Sequence, residues 1–298
     1  MKLFSCFALL AGAWLLVAQP QGAKTYATPE EARDALVQAA AGGVAAVRNL
    51  LGPTSTDIVR TGDEVQDNKI VADFQRRVAE KVQLEPDSSN LNRYTLLTGA
   101  EDSPFALPLM RKSGRWYWDV EEGKKEVRNR VIGANELDAI QVCRGYVEAQ
   151  QTYAETDWDG NGVLEYAKKI ASTDGKKDGL YWPGDDSPIS EGFAKAHAQG
   201  YGKLGSGTGY HGYVYRILMS QGPEAAGGAQ DYLVHGLMIG GFAIIASPVK
   251  YGASGIMTFI VNQDGVVYEK DLGPYTDAQA RAISKFNPDK TWRVSVSD

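Results

Sequence analysis

Gly255-Ile256-Met257-Thr258-Phe259-Ile260-Val261-Asn262-Gln263-Asp264-Gly265-Val266-Val267-Tyr268-Glu269-Lys270 decides the class of the second half of this chain. Two apolar runs rich in β-branched and aromatic residues flank Gln263-Asp264-Gly265. An Asp-Gly pair between such runs signals a hairpin, because these residues take the left-handed backbone that a tight turn requires. Outward from it, residues 210–219, 231–234 and 242–246 read as further strands, so the chain from Tyr210 on is nearly all β. Upstream, Asn135 caps an expected helix, with Asp138 as a weak box partner, and Leu137, Ile140, Cys143, Val147 and Ala154 share one face of it. A long helix packed on an antiparallel β-sheet is therefore expected over 135–298. Between helix and sheet lie an irregular loop at 157–162, a short helix at 163–170, the run Leu180-Tyr181-Trp182-Pro183 and a helix at 189–198.

The first half is expected to put helices before strands. Thr28-Pro29-Glu30-Glu31 combines a capping threonine, a proline suited to the first helical position and a capping-box acid, for a helix to about Ala41 that stops at Gly42-Gly43. A second piece, 44–51, ends at Gly52-Pro53. Ile70, Phe74, Val78 and Val82 recur every four residues and make one helical stripe over 67–82. After a polar turn, residues 94–97, 105–110 and 116–120 read as short strands. The expected class is α+β: an N-terminal domain (24–123) of helices and a small antiparallel sheet, a linker with a helical segment broken at Gly133 (124–134), and a C-terminal domain (135–298).

Ahead of these, residues 1–23 read as a signal peptide. Lys2 supplies the positive start, residues 3–17 an uncharged apolar run, and Ala18 and Ala23 small residues for cleavage. The run is shorter than the roughly 20 residues of a membrane-spanning helix. After its removal no apolar stretch is long enough to span a bilayer, since Leu237 to Pro248 is short and broken by Gly240 and Gly241. One cysteine, Cys143, then remains, so no internal disulfide forms. With 31 basic against 37 acidic residues and a net charge of −6, and no basic patch, nucleic acid is not an expected partner. The expected location is periplasmic or secreted.

Taken in order, Gly114-Arg115-Trp116-Tyr117-Trp118-Asp119, Ile132-Gly133-Ala134-Asn135-Glu136, the Asp157 to Gly162 run, Asp178-Gly179-Leu180-Tyr181-Trp182-Pro183, Met238-Ile239-Gly240-Gly241-Phe242, Thr258-Phe259-Ile260-Val261-Asn262 and Asp271-Leu272-Gly273 resemble the bacterial domain of unknown function 2950 family. The resemblance covers nearly the whole mature chain. It implies an exported bacterial protein and carries no activity with it. The second half is also loosely similar to the globular part of pilins and pseudopilins, in its long helix, polar Asp/Gly loop and β-meander. It departs from them in that the corresponding helix is amphipathic and follows another domain, so a pilus subunit is not expected. The first domain is compatible with a cystatin-like or NTF2-like arrangement, an analogy of fold alone.

The sharpest chemical signal is Asp157-Trp158-Asp159-Gly160-Asn161-Gly162-Val163-Leu164-Glu165. Oxygen-bearing side chains at positions one, three, five and nine, with glycine at six, match the first part of a calcium-binding EF-hand loop. Lys168 stands where that loop needs its last, bidentate glutamate, so a full EF-hand is ruled out. Two readings stand: a weak calcium site on Asp157, Asp159, Asn161 and Glu165, or a turn whose side chains satisfy their own backbone.

Elsewhere the signals are thin. His197, His211 and His235 show no i,i+4 pairing for zinc, and Cys143 sits on an apolar helix face as a small hydrophobe. Gly252-Ala253-Ser254-Gly255 lacks the closing glycine and the strand-to-helix context of a nucleophile elbow. Residues 205–209 are glycine-rich without a phosphate-binding lysine. The aromatics Trp158, Trp182, Tyr210, Tyr213, Tyr215, Tyr232 and Tyr251 line either a sugar or peptide groove or the core. With no catalytic residues singled out, the expected function is a non-catalytic envelope or secreted binding module for a protein or surface ligand. The alternative is a periplasmic hydrolase of envelope polymers using Asp157, Asp159 and Glu165.

Overall fold

The structure, a computed structural model, describes residues 24–56, 64–189 and 209–295. The signal segment, His197, most of the helix expected at 189–198 and most of the glycine loop at 205–209 lie outside the described residues. The chain divides into two compact units, Met1–Val127 and Arg128–Asp298.

In the first unit, Thr28 Oγ1 accepts from Glu31 N (3.1 Å) and Pro29 opens α1 (Pro29–Ala41), with α2 (Gly43–Leu51) following. α3 (Glu64–Glu80) stops short of the expected Val82. Val82 instead begins β1 (Val82–Pro86), paired antiparallel with β2 (Arg93–Thr98), where a polar turn was expected. The alternation Val82, Gln83, Leu84, Glu85 has the period of a strand and wins over the four-residue spacing that continued the helix. On α3, Ile70 lies 48% exposed, while Phe74 is buried against Phe105. With β3 (Ser103–Pro104), β4 (Leu109–Lys112) and β5 (Arg115–Trp118) the sheet runs β1-β2-β4-β5, with β3 beside β2. Leu36, Leu51, Leu96, Leu109 and Trp118 fill the core, and the Trp118 indole N–H donates to Ala32 O (3.2 Å).

α4 (Val120–Tyr153) is one helix of 34 residues. The break expected at Gly133 and the cap expected at Asn135 are therefore corrected. A glycine costs a helix interior only about 1 kcal/mol, which the packing of a long helix overrides. Asn135 does not cap; its Nδ2 donates to Ser254 O (2.9 Å). The buried stripe is Ala139, Ile140, Cys143, Tyr146, Val147, Gln150 and Tyr153, whereas Leu137 is 56% exposed.

Strands β6 (Tyr213–Leu218), β7 (Ser220–Gln221), β8 (Gln230–Asp231), β9 (Leu233–Val234), β10 (Leu237–Met238), β11 (Ala243–Pro248), β12 (Met257–Asn262), β13 (Tyr268–Asp271) and β14 (Arg293–Val294) follow. Five of them form an antiparallel sheet in the order β14-β13-β12-β11-β6. The strand expected at 231–234 splits between two small ribbons, β7-β8 and β9-β10. The Asp-Gly hairpin forms between β12 and β13: Gly265 N donates to Asn262 O (3.0 Å), and Gly265 takes a φ of 75° that a β-carbon would oppose. Tyr213, Tyr215, Phe259 and Val261 join one core with Cys143 and Tyr146 of α4. Between β13 and β14 the chain forms a short helix, α5 (Thr276–Ala282), in a region read as nearly all β. Arg216 of β6 holds it by donating to Ala280 O (2.9 Å) and Ile283 O (2.6 Å), carbonyls at its free end. The class is α+β.

The helix expected at 163–170 is absent; that segment is irregular. Its amides are taken by distant partners: Tyr166 N donates to Met238 O (2.9 Å) and Ala167 N to Gln150 Oε1 (2.8 Å).

Candidate functional site

The Asp157 loop follows directly on the end of α4. Asp157 accepts from Gly160 N (2.9 Å) and Asn161 N (3.2 Å) on one oxygen and from Gly162 N (2.8 Å) on the other. These bonds, the one from Gly162 foremost, hold its carboxyl below the ordinary range. Asp159 accepts from Asn161 N (3.2 Å) and Asn161 Nδ2 (2.9 Å), and Asn161 Oδ1 accepts from Val163 N (2.7 Å). Three of the four expected calcium ligands thus share one turn. Glu165 does not join them. It accepts from Met238 N (3.0 Å) and pairs at 3.0 Å with Lys168, whose ammonium also donates to Gly236 O (3.0 Å). As they stand, the four side chains do not make a closed oxygen shell. Among the described residues no group of three or more His, Cys, Asp or Glu could hold a metal ion.

What the turn does is present Trp158, which lies between its two aspartates. The indole N–H donates to Tyr153 O (2.9 Å), and the ring lies 4.8 Å from that of the buried Trp182. Lys177 Nζ sits over both indoles, at 4.5 Å from Trp158 and 4.8 Å from Trp182. It pairs at 2.6 Å with Asp186, which also accepts from the Trp182 indole N–H (2.7 Å). Lys177 and then Trp182 hold the Asp186 carboxyl down. Alongside, Asp178 pairs with Lys169 (2.6 Å) and accepts from Thr173 N (2.7 Å) and Thr173 Oγ1 (2.9 Å). Partial burial pushes the Asp178 carboxyl up, but the bonds from Lys169 and Thr173 outweigh it and bring it down to about 2.

These groups border an open cavity of about 630 Å³ whose wall includes Tyr153, Thr156, Trp158, Asp159, Lys176 and Asp178. Of the expected site residues, Trp158, Asp159 and Glu165 line it. Tyr153, Lys169, Lys176 and Lys177 were not singled out from sequence, and Asp178 only within a motif, because their pairings join loops that no local spacing relates.

The remaining candidates are placed as follows. Cys143 is fully buried, and burial pushes its thiol up to about 12, favouring the weakly reactive thiol form. His211 Nδ1 lies 2.7 Å from Asp138 Oδ2 at the surface, and His235 sits in the turn between β9 and β10. Ser254 Oγ accepts from Lys250 N (3.0 Å), closing a local turn. Tyr213, Tyr215 and Tyr232 belong to the core.

A family model described as "Protein of unknown function (DUF2950)" matches residues 23–295. The chain belongs to the DUF2950 family. No curated protein and no solved structure matches, so the likeness to pilins gains no support. In this DUF2950 chain, three segments that carry the family resemblance meet at or behind the cavity: the Asp157 turn through Trp158, the Asp178 to Pro183 run through Asp178 at the wall and Trp182 behind Trp158, and the Met238 run through its bond to Glu165. No helix among the described residues is long and apolar enough to cross a membrane.

Proposed function

We propose that this DUF2950 chain is an exported, non-catalytic binding module of the cell envelope or secreted space, with the cleft between Tyr153, Trp158 and Lys176 as its ligand site. The observation that carries this reading is the state of the cleft's charged groups. Glu165 pairs with Lys168 and Asp178 with Lys169, while Lys177 pairs with Asp186 behind the aromatic wall. A ligand thus meets polar groups already fixed in place beside an aromatic ring, the composition of a recognition site. A hydrolase of the glycosidase kind needs one carboxyl kept protonated near neutral pH. At the cleft, the shift of Asp178 runs the other way, favouring the ionised form. Export rests on the pattern of residues 1–23.

The test is sedimentation of the mature protein with insoluble envelope material, together with an assay for soluble fragments. Retention that falls in Trp158→Ala, without fragment release, is the expected result. Steady release of fragments would make the protein a hydrolase. No retention at all would sink the binding reading. For export, cell fractionation should find a shortened chain outside the cytoplasm; an intact chain in the cytosol refutes it.

A further inference from the structure

Resting on that reading, we infer that the ligand of the cleft is a neutral saccharide chain, one ring of which packs on Trp158. The first argument is the wall. The indole N–H of Trp158 is spent on Tyr153 O, so the side chain offers the cleft its apolar ring and not its donor. That ring is held by Trp182, Lys177 and the bonded turn on either side of it, and a ring held in advance loses little freedom on binding. Sugar rings carry apolar C–H faces, and the part of the Trp158 ring that lines the cavity suits them.

The second argument is charge. Lys168 is matched by Glu165 and Lys169 by Asp178, and Lys177 is spent on Asp186 and two indoles. What is left at the mouth is Lys176 and Asp159, of opposite sign. A polyanion or a polycation gains little from such a surface. The third is hydrogen bonding. A sugar hydroxyl both donates and accepts, and it needs donors and acceptors side by side. An ammonium has three donors and a carboxylate about four lone-pair positions, so each of these pairs keeps capacity to spare. The cavity of about 630 Å³ falls within the roughly 300–1,000 Å³ of small-molecule sites.

The experiment titrates the mature protein with cellohexaose, maltohexaose and chitohexaose, and with heparin and oligolysine as charged probes, following tryptophan fluorescence and heat at low and high salt. A saturable response to at least one neutral hexasaccharide is expected, with a dissociation constant that salt moves less than threefold. It should weaken tenfold or more in Trp158→Ala and survive in Trp158→Phe. Because Trp158 packs on Trp182, Thr156→Trp serves as a second variant: it fills the cleft from an exposed loop position and should abolish binding without loss of fold. Trp292→Ala, at a separate cavity beside α5, should bind as the wild type does. Binding of heparin or oligolysine alone, with steep salt dependence, overturns the inference. So does envelope retention that no neutral saccharide competes away, and in that case the binding reading stands while the saccharide falls. Loss of retention altogether removes both.

Discussion

Gln150 and Ala167 are bonded to each other in both directions: the Gln150 amide donates to Ala167 O (2.9 Å) and accepts from Ala167 N (2.8 Å). Gln150 is fully buried and also donates to Tyr146 OH (2.9 Å). The side chain does for Ala167 what a neighbouring strand would do, and it ties the cleft-forming segment back to α4. Gln150→Leu keeps the volume but orphans two buried backbone groups, each worth about 1–3 kcal/mol. Denaturant unfolding should show a loss of roughly 2–4 kcal/mol. A loss under about 1 kcal/mol would mean that water or a backbone shift satisfies Ala167.

The Asp157 turn is expected to be calcium-independent. Its carboxylate is already engaged by three backbone N–H groups, and Glu165 is committed to Met238 and Lys168. The melting midpoint should therefore be the same in millimolar calcium and in chelator. Asp157→Ala should lower it equally in both, by loosening the support of Trp158. A midpoint that rises with calcium in the wild type, and not in Asp157→Ala, would restore the ion.

Asp178 makes the cleft acid-sensitive. Its folded value of about 2 lies below the ordinary 3.8, so the ionised form is favoured by folding. The stabilisation is complete above the ordinary value and is lost as pH falls through 3.8 toward 2. Over that window unfolding should ease more steeply in the wild type than in Asp178→Asn, which starts less stable at neutral pH. Parallel pH profiles for the two proteins would show that the Lys169 pairing does not matter.

Gly179 allows the close approach that sets Lys177 and Asp178 at the cleft. A β-carbon there would lie 2.8 Å from Ala171 C and from Ser172 N, both backbone atoms. Gly179→Ala must therefore push apart segments held by Ser172 N to Tyr181 O (2.8 Å) and Tyr181 N to Ile170 O (2.9 Å). The expected cost is about 1–3 kcal/mol, measured by denaturant unfolding, with weaker ligand binding beside it. Wild-type stability in this variant would show that the two segments yield without strain.

Much of the fold was legible in the residues themselves. The Thr28 cap and Pro29 start of α1, the Gly42 stop, the antiparallel plan of the second half and the turn at Asp264-Gly265 are written within a few residues of where they act. Short-range sterics and side-chain-to-backbone bonds settle such features alone. The same holds for the Asp157 turn as a turn. Where local signals competed, they were ambiguous: Val82 fits both a four-residue and a two-residue period, and Gly133 reads as a break.

What only the tertiary structure decided are the relations between segments far apart in the chain. α4 passes through Gly133 and Asn135 because packing outweighs the local cost of a glycine, and Asn135 is drawn to Ser254 instead of capping a helix. The stretch 163–170 stays irregular because Gln150 and Met238 take its amides. Glu165 leaves the metal-like cluster for Met238, and Lys177 comes to rest over Trp158 and Trp182. Each is a competition between a local preference, about 1 kcal/mol for the glycine, and contacts made with residues far along the chain. The local terms can be read along the chain, whereas the contacts that overrule them exist only once distant residues have met.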